Sequence, residues 1–139
     1  MTEKKFNSHR ILGQDQLVAK RLKNYEYRPQ QLAMSTAIEK AIQSQRHLIA
    51  EAGTGVGKSF AYLVPAILET AQHTSADSTQ KTKPIIVSTH TISLQEQLIE
   101  KDLPFLNSVI PLEFSAILVK GRRNYVSLRR TEAAFARSA

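Results

Sequence analysis

Apolar residues in this chain follow two spacings, one suited to amphipathic helices and one to short buried strands. From Gln14 to Tyr25, Leu17, Val18, Leu22 and Tyr25 recur at helical intervals and predict a short amphipathic helix. Tyr27-Arg28-Pro29 interrupts that period, and Pro29 suits the first position of a second helix. From Gln30 to Ser44, Leu32, Ala33, Ile38, Ala41 and Ile42 lie along one side of it. His47-Leu48-Ile49-Ala50 is a short apolar run that reads as a buried strand. A third helix is expected from Lys58 to about Ala71. The β-branched run Pro84-Ile85-Ile86-Val87-Ser88-Thr89 fits a strand covered on both faces. Leu94 to Leu106 predicts a helix that closes near Pro104, Ser115 to Lys120 a third strand, and Asn124 to Ala136 a last helical stretch. The opening residues are expected to fray, and the polar, aperiodic run His73 to Lys83 to form a mobile loop.

Strands alternating with helices predict an α/β fold: three layers, α-β-α, around a parallel sheet with right-handed crossovers. Ligands of such sheets sit at the carboxyl ends of the strands. The glycine-rich stretch after His47–Ala50, Thr89-His90-Thr91 and Lys120-Gly121-Arg122 would all fall on that edge. Three strands are few for this architecture.

A chain of 139 residues with 42% hydrophobic content can bury a core of ordinary size, so one domain is the natural expectation. No apolar run is long enough to cross a membrane, and the polar start Met1–Phe6 lacks a signal-peptide core. The absence of cysteine excludes disulfides and thiolate metal sites within the chain and is compatible with a cytoplasmic location. Nineteen Lys and Arg against twelve Asp and Glu give a formal charge of +7, which favours polyanionic partners. Much of the excess sits at Lys120, Arg122, Arg123, Arg129, Arg130 and Arg137. The same charges also fit a plain solvated face.

The candidate chemistry lies in Glu51-Ala52-Gly53-Thr54-Gly55-Val56-Gly57-Lys58-Ser59. A strand, a glycine-rich turn, Gly-Lys-Ser and a helix form the arrangement that cradles nucleotide phosphates. Consecutive backbone N–H groups make an anion site, and the helix dipole adds about half a positive charge there. Gly53, Gly55 and Gly57 permit positive φ and close approach of the backbone to a phosphate. Lys58 can reach the β- and γ-phosphates, and the Ser59 hydroxyl can ligate magnesium. The first position of the general pattern is Ala52 instead of glycine.

Three further segments narrow this reading. In Tyr27-Arg28-Pro29-Gln30-Gln31, a glutamine amide can both donate to N7 of adenine and accept from its N6 amine. Ser88-Thr89-His90-Thr91 places hydroxyls where they can bond nucleic-acid phosphates. Lys120-Gly121-Arg122-Arg123-Asn124-Tyr125 gathers cations, a glycine and an aromatic ring. Each has a simpler reading. Gln31 also fits a solvated helix position, Thr89 a plain strand position, His90 a loop, and Tyr125 a core position outside any site.

Taken in order, the Arg-Pro-Gln-Gln segment, Ala52–Ser59, Ser88–Thr91 with Leu94-Gln95-Glu96-Gln97, and Lys120–Tyr125 resemble the N-terminal part of DinG-type DNA helicases, in the XPD-like branch of superfamily 2. The resemblance runs from about Ile11 to Ser127. It implies a partial first RecA-like domain of the P-loop NTPase class, over residues 27–139, behind an N-terminal extension with a short helix over residues 1–26. It implies that ATP and Mg2+ bind, with Gly53, Thr54, Gly55, Val56, Gly57, Lys58 and Ser59 around the triphosphate, Lys58 as the catalytic cation, Ser59 on the metal, and Arg28 and Gln31 near adenine. Thr89 and Thr91 would touch the backbone of single-stranded DNA, with Lys120 and Arg122 as further nucleic-acid contacts.

Two departures stand out. Many relatives follow the Asn-Tyr of the last segment with a cysteine that opens an iron–sulfur domain. This chain has Asn124-Tyr125-Val126-Ser127, so no cluster is expected. No adjacent Asp-Glu pair occurs, so the box that holds magnesium and activates water is missing, as are the arginine finger and the second RecA-like domain. The expectation is a helicase fragment, truncated before that box, that binds nucleotide and DNA but is catalytically incomplete. The alternative is a binding module without turnover. A GTPase reading fails for want of an Asn-Lys-x-Asp guanine reader.

Overall fold

The computed structural model describes residues 6–74 and 83–138. Among these residues the chain is helical, in the order α1 (Ser8–Leu12), α2 (Leu17–Arg21), α3 (Pro29–Gln43), α4 (Lys58–Thr74), α5 (Ile92–Gln97), a π-turn (Leu98–Asp102), α6 (Leu103–Val109), a 3-10 turn (Arg122–Asn124) and α7 (Leu128–Ser138).

Local signals set most helix ends. Asn7 caps α1 by accepting the Arg10 N–H at 2.9 Å. Pro29 occupies the first turn of α3, where its missing N–H costs nothing. At the other end of α3, Gln45 takes φ of 53°, Arg46 N–H reaches Ala41 O at 2.9 Å and Gln45 N–H reaches Ile42 O at 3.1 Å. That is a Schellman closure with glutamine in the left-handed position that glycine usually fills. Pro65 lies inside α4 and is fully buried.

The α3 and α4 helices pack along each other, with α1 against both and α2 against α6. Their core holds Ile11, Leu12, Val18, Leu63, Val64, Ile67, Leu68, Leu98, Leu106 and Ile110. Burying each large aliphatic side chain contributes about 1.5–3 kcal/mol before entropy is counted. Phe60 of α4 stacks on Phe105 of α6 with centroids 5.6 Å apart. Polar contacts fix α1 on α3: Ser8 N–H donates to Glu39 Oε2 at 2.8 Å, and Ser35 Oγ donates to Ser8 Oγ at 2.9 Å. The stretch expected as an N-terminal extension thus supplies Ile11, Leu12 and Val18 to the common core.

The expected three-layer α/β architecture is overturned. Among the described residues there is no strand and therefore no parallel sheet of the RecA-like kind. His47–Ala50, Pro84–Thr89 and Ser115–Lys120 are irregular segments. Ile49, Ile86 and Ile117 are 100%, 88% and 86% exposed, where a buried strand would cover them. The physical reason is that β-branched residues fit a pleated surface but do not supply the neighbour whose N–H and C=O groups complete it. Among the described residues the glycine-rich turn accordingly sits on no sheet edge.

Smaller differences concern the helices. The expected helix Gln14–Tyr25 shrinks to α2, and Ser8–Leu12 is helical where fraying was expected. Pro104 does not close a helix; it stands in the first turn of α6, after the π-turn has freed its N–H position. The last helical stretch begins at Leu128 and not at Asn124, and α4 runs on to Thr74. Residues 1–5 and 75–82, where fraying and most of the mobile loop were expected, lie outside the described residues.

Candidate functional site: a phosphate cradle at the start of α4

The turn Gly53–Gly57 enters α4 through Lys58-Ser59. Gly55 and Gly57 take φ of 80° and 81°, the left-handed region that side chains resist. Gly53 does not, so its part in the expected set of positive-φ glycines is corrected. Nothing lies within 4 Å of a Cβ built on Gly53 or Gly55, so open space stands above both. Gly57 is different, because a Cβ there would run into the Gln31 side-chain amide.

Among the described residues, none of the backbone N–H groups from Gly53 to Phe60 donates a hydrogen bond within the chain; the first to do so is Ala61, to Gly57 O at 3.3 Å. These unspent donors gather at a helix N-terminus, where the dipole adds positive potential. Lys58 Nζ donates to Ala52 O and Gly53 O, each at 3.0 Å. Its ammonium thus rests on carbonyls of the same turn.

Gln31 is 3% exposed and holds the far side of the turn. Its Nε2 donates to Gly57 O at 2.9 Å. The Tyr25 hydroxyl lies 3.2 Å from Gln31 Oε1 and 3.1 Å from Leu12 O, so its single proton is shared between two acceptors. A chain of polar contacts therefore runs from α1 through Tyr25 and Gln31 to the phosphate turn. Burial raises the Tyr25 phenol above its usual range, with the nearby Arg28 charge opposing. Arg28 also pairs with Glu26 at 3.5 Å across exposed surface.

Ser59 lies half-buried beside Tyr62. Burial raises the Tyr62 phenol, and a hydrogen bond from Ser59 pulls the other way. No cluster of three carboxylate or imidazole groups able to hold a metal occurs among the described residues.

The other expected positions fall elsewhere. Thr91 caps α5, its Oγ1 accepting Leu94 N–H at 3.3 Å, and Thr89 Oγ1 donates to Thr91 O at 3.4 Å. Lys120 Nζ pairs with Glu96 of α5 at 3.5 Å, which ties the third irregular segment to the helix that Thr91 opens. Arg122 is exposed in the 3-10 turn. Tyr125, read as a core position, is 55% exposed, and its oxygen accepts the Lys120 N–H at 2.8 Å. Sequence reasoning missed the Tyr25 hydroxyl, treating the residue as one apolar position in a helical stripe. Its signal was available, since a phenol on an apolar face needs a polar partner.

The glycine turn, with its free amides and with a lysine and a hydroxyl at its helical end, stands in a chain whose family the matched residues define. The chain belongs to the DEAD/DEAH box helicase family, whose signature residues 27–133 match. Among curated proteins it is 41% identical over 104 residues to the ATP-dependent helicase DinG of Mycobacterium tuberculosis, covering 72% of this chain and 14% of that protein. It is 46% identical over 91 residues to the ATP-dependent DNA helicase DinG of Photobacterium profundum, covering 66% of this chain and 12% of that one. It is 36% identical over 118 residues to the ATP-dependent DNA helicase YoaA of Escherichia coli, covering 85% and 17%. The chain therefore spans about a seventh of the length of these relatives. No solved structure matches. No helix among the described residues is long and apolar enough to cross a membrane.

Proposed function

We propose that this chain is the ATP- and single-stranded-DNA-binding front portion of a DinG-type helicase, in which ATP hydrolysis drives movement along one DNA strand. The observation that carries the nucleotide half is the set of unspent amides from Gly53 to Phe60 beneath the open space over Gly53 and Gly55. A triphosphate suits that open space by chemistry: backbone donors for its oxygens, the Lys58 ammonium for its β- and γ-charges, and the Ser59 hydroxyl, which would hold a magnesium ion. Magnesium would neutralise charge on the phosphates. The chain's own residues bind and orient them.

Gln31 and Arg28 stand behind Gly57, at the end of the turn away from Gly53. In this reading they hold the loop in shape and approach adenine from the same side. By the same reading Thr89, Thr91, Lys120 and Arg122 would form the DNA side; Thr91 caps α5 and Lys120 pairs with Glu96 of the same helix. The water-activating carboxylate, the arginine finger and a partner domain would come from elsewhere in the parent helicase. The chain alone then binds nucleotide and turns it over very slowly, since each missing group can be worth orders of magnitude in rate.

The test is an ATPase assay on the purified chain, with and without single-stranded DNA, beside fluorescent-nucleotide binding. Nucleotide binding abolished by Lys58→Ala, with negligible turnover, is expected. Brisk turnover that Lys58→Ala removes would show the chain to be catalytically self-sufficient. No binding at any nucleotide concentration would remove the nucleotide claim.

A further inference from the structure

The last described stretch of the chain makes no use of its charge. From Gly121 to Arg137 every residue except Thr131 is exposed. Over residues 121–138 five arginines face a single acidic residue, Glu132. Among the described residues, Arg122, Arg123, Arg129 and Arg130 make no ion pair. They line a hollow of about 1180 Å³ together with Tyr125 and Phe135. The two rings are 55% and 72% exposed. Tyr125 is held by its oxygen on the Lys120 N–H, so its ring stands as a fixed plate.

We propose that this arginine- and ring-lined hollow between the 3-10 turn and α7 is a binding groove for single-stranded DNA, separate from the threonines at the start of α5. Guanidinium groups neutralise phosphates and also stack on bases, and an exposed ring accepts any base on its π-face. A duplex keeps its bases stacked internally and can use the charges but not the rings. A lipid surface is the poorer match: α7 has eleven residues, and Leu128 and Phe135 are its large apolar side chains, a small area to bury in a bilayer. The groove deepens the helicase reading by giving the strand a track, and it rests on that reading for the choice of DNA.

The test is fluorescence anisotropy of the full chain with a 20-nucleotide oligothymidine across a salt series, beside a duplex of equal length, vesicles containing phosphatidylserine, and a fluorescent ATP analogue. Arg129→Ala with Arg130→Ala is expected to weaken oligothymidine binding roughly tenfold and to lower the slope of log affinity against log salt by about 1.4, two contacts at about 0.7 each. Tyr125→Ala and Phe135→Ala should each weaken it roughly 5- to 150-fold with little change in slope, while duplex binding holds. Tyr125→Phe, which keeps the stacking ring and gives up only its tether to the Lys120 N–H, should bind within about threefold of the parent.

Unchanged oligothymidine binding in all these variants overturns the groove. So does equal loss on duplex and single strand in the ring variants, or vesicle binding that outcompetes the oligonucleotide and is lost with the arginines. Nucleotide binding is read separately. Failure of the ATP analogue to bind removes the nucleotide half of the proposed function and leaves the groove to be decided by the oligothymidine series, whereas loss of the groove leaves the phosphate cradle untouched.

Discussion

The glycine turn and the C-terminal arm, to which related tasks are proposed, are built in opposite ways. The turn offers backbone groups and is held from behind by side chains: buried Gln31 on Gly57 O, and half-buried Tyr25 on Gln31 and Leu12 O. The arm takes its chemistry from side chains, and those from Arg122 to Arg130 are all exposed. A backbone site needs each φ angle held, so changes there cost stability as well as binding. A side-chain site on an exposed surface can lose function while folding stays the same.

The sharpest way to break this contrast is Gly57→Ala. A Cβ there meets both a left-handed φ and the Gln31 amide, so unfolding free energy should fall by about 3 kcal/mol, with nucleotide binding lost too. Gly53→Ala is its control, with open space and an ordinary φ, and should cost under about 0.5 kcal/mol by chemical denaturation. Next in size, Lys58→Ala should weaken nucleotide binding roughly 10- to 100-fold, as loss of a charge-assisted contact implies, while oligothymidine binding stays within about twofold.

Tyr25→Phe should cost about 1 kcal/mol at neutral pH, because Gln31 Oε1 and Leu12 O lose their shared donor. It also carries a pH signature. The folded phenol has a raised pKa, so its stabilisation is complete below the unfolded value near 10.0 and fades as pH climbs through the folded value. The parent's melting temperature should therefore drop more steeply above pH 10 than that of Tyr25→Phe. Smallest and opposite in sign, Gln45→Gly should stabilise by roughly 0.5 kcal/mol, relieving left-handed strain while giving back part in unfolded-chain entropy. If the arginine pair 129 and 130 shifted the unfolding midpoint as much as Gly57→Ala, the comparison between the two regions would fail.

What the sequence made legible was whatever is encoded within a few residues. Pro29 announced α3, the Gly-Lys-Ser run announced both the turn and the start of α4, and the excess of arginine near the end announced a basic surface. Family membership was legible for the same reason, as short motifs in a fixed order. Ile85-Ile86-Val87 and Ile117-Leu118-Val119 were misread because strand formation depends on a neighbour that local composition does not name. The expectation that the cradle must sit on a sheet edge failed with them, and the family assignment rests on the matched residues instead. Pro104 misled because a proline's effect depends on whether its N–H position still owes a hydrogen bond, and the preceding π-turn had already released it. Tyr25 and Gln31 were seen as residues but not as partners, since six positions of separation hid a contact that only tertiary packing creates.

The wide turn at Leu98–Asp102 has one more consequence. An i→i+5 turn holds one residue more than an α-turn, about five where α6 would use four, and still returns Leu103 to the side that Leu98 faces. Excising a single residue between Ile99 and Asp102 would therefore tighten the coil without swinging Leu106 and Ile110 away from their neighbours. Length itself becomes negotiable at this point, and a gap there in a relative would leave the hydrophobic register intact.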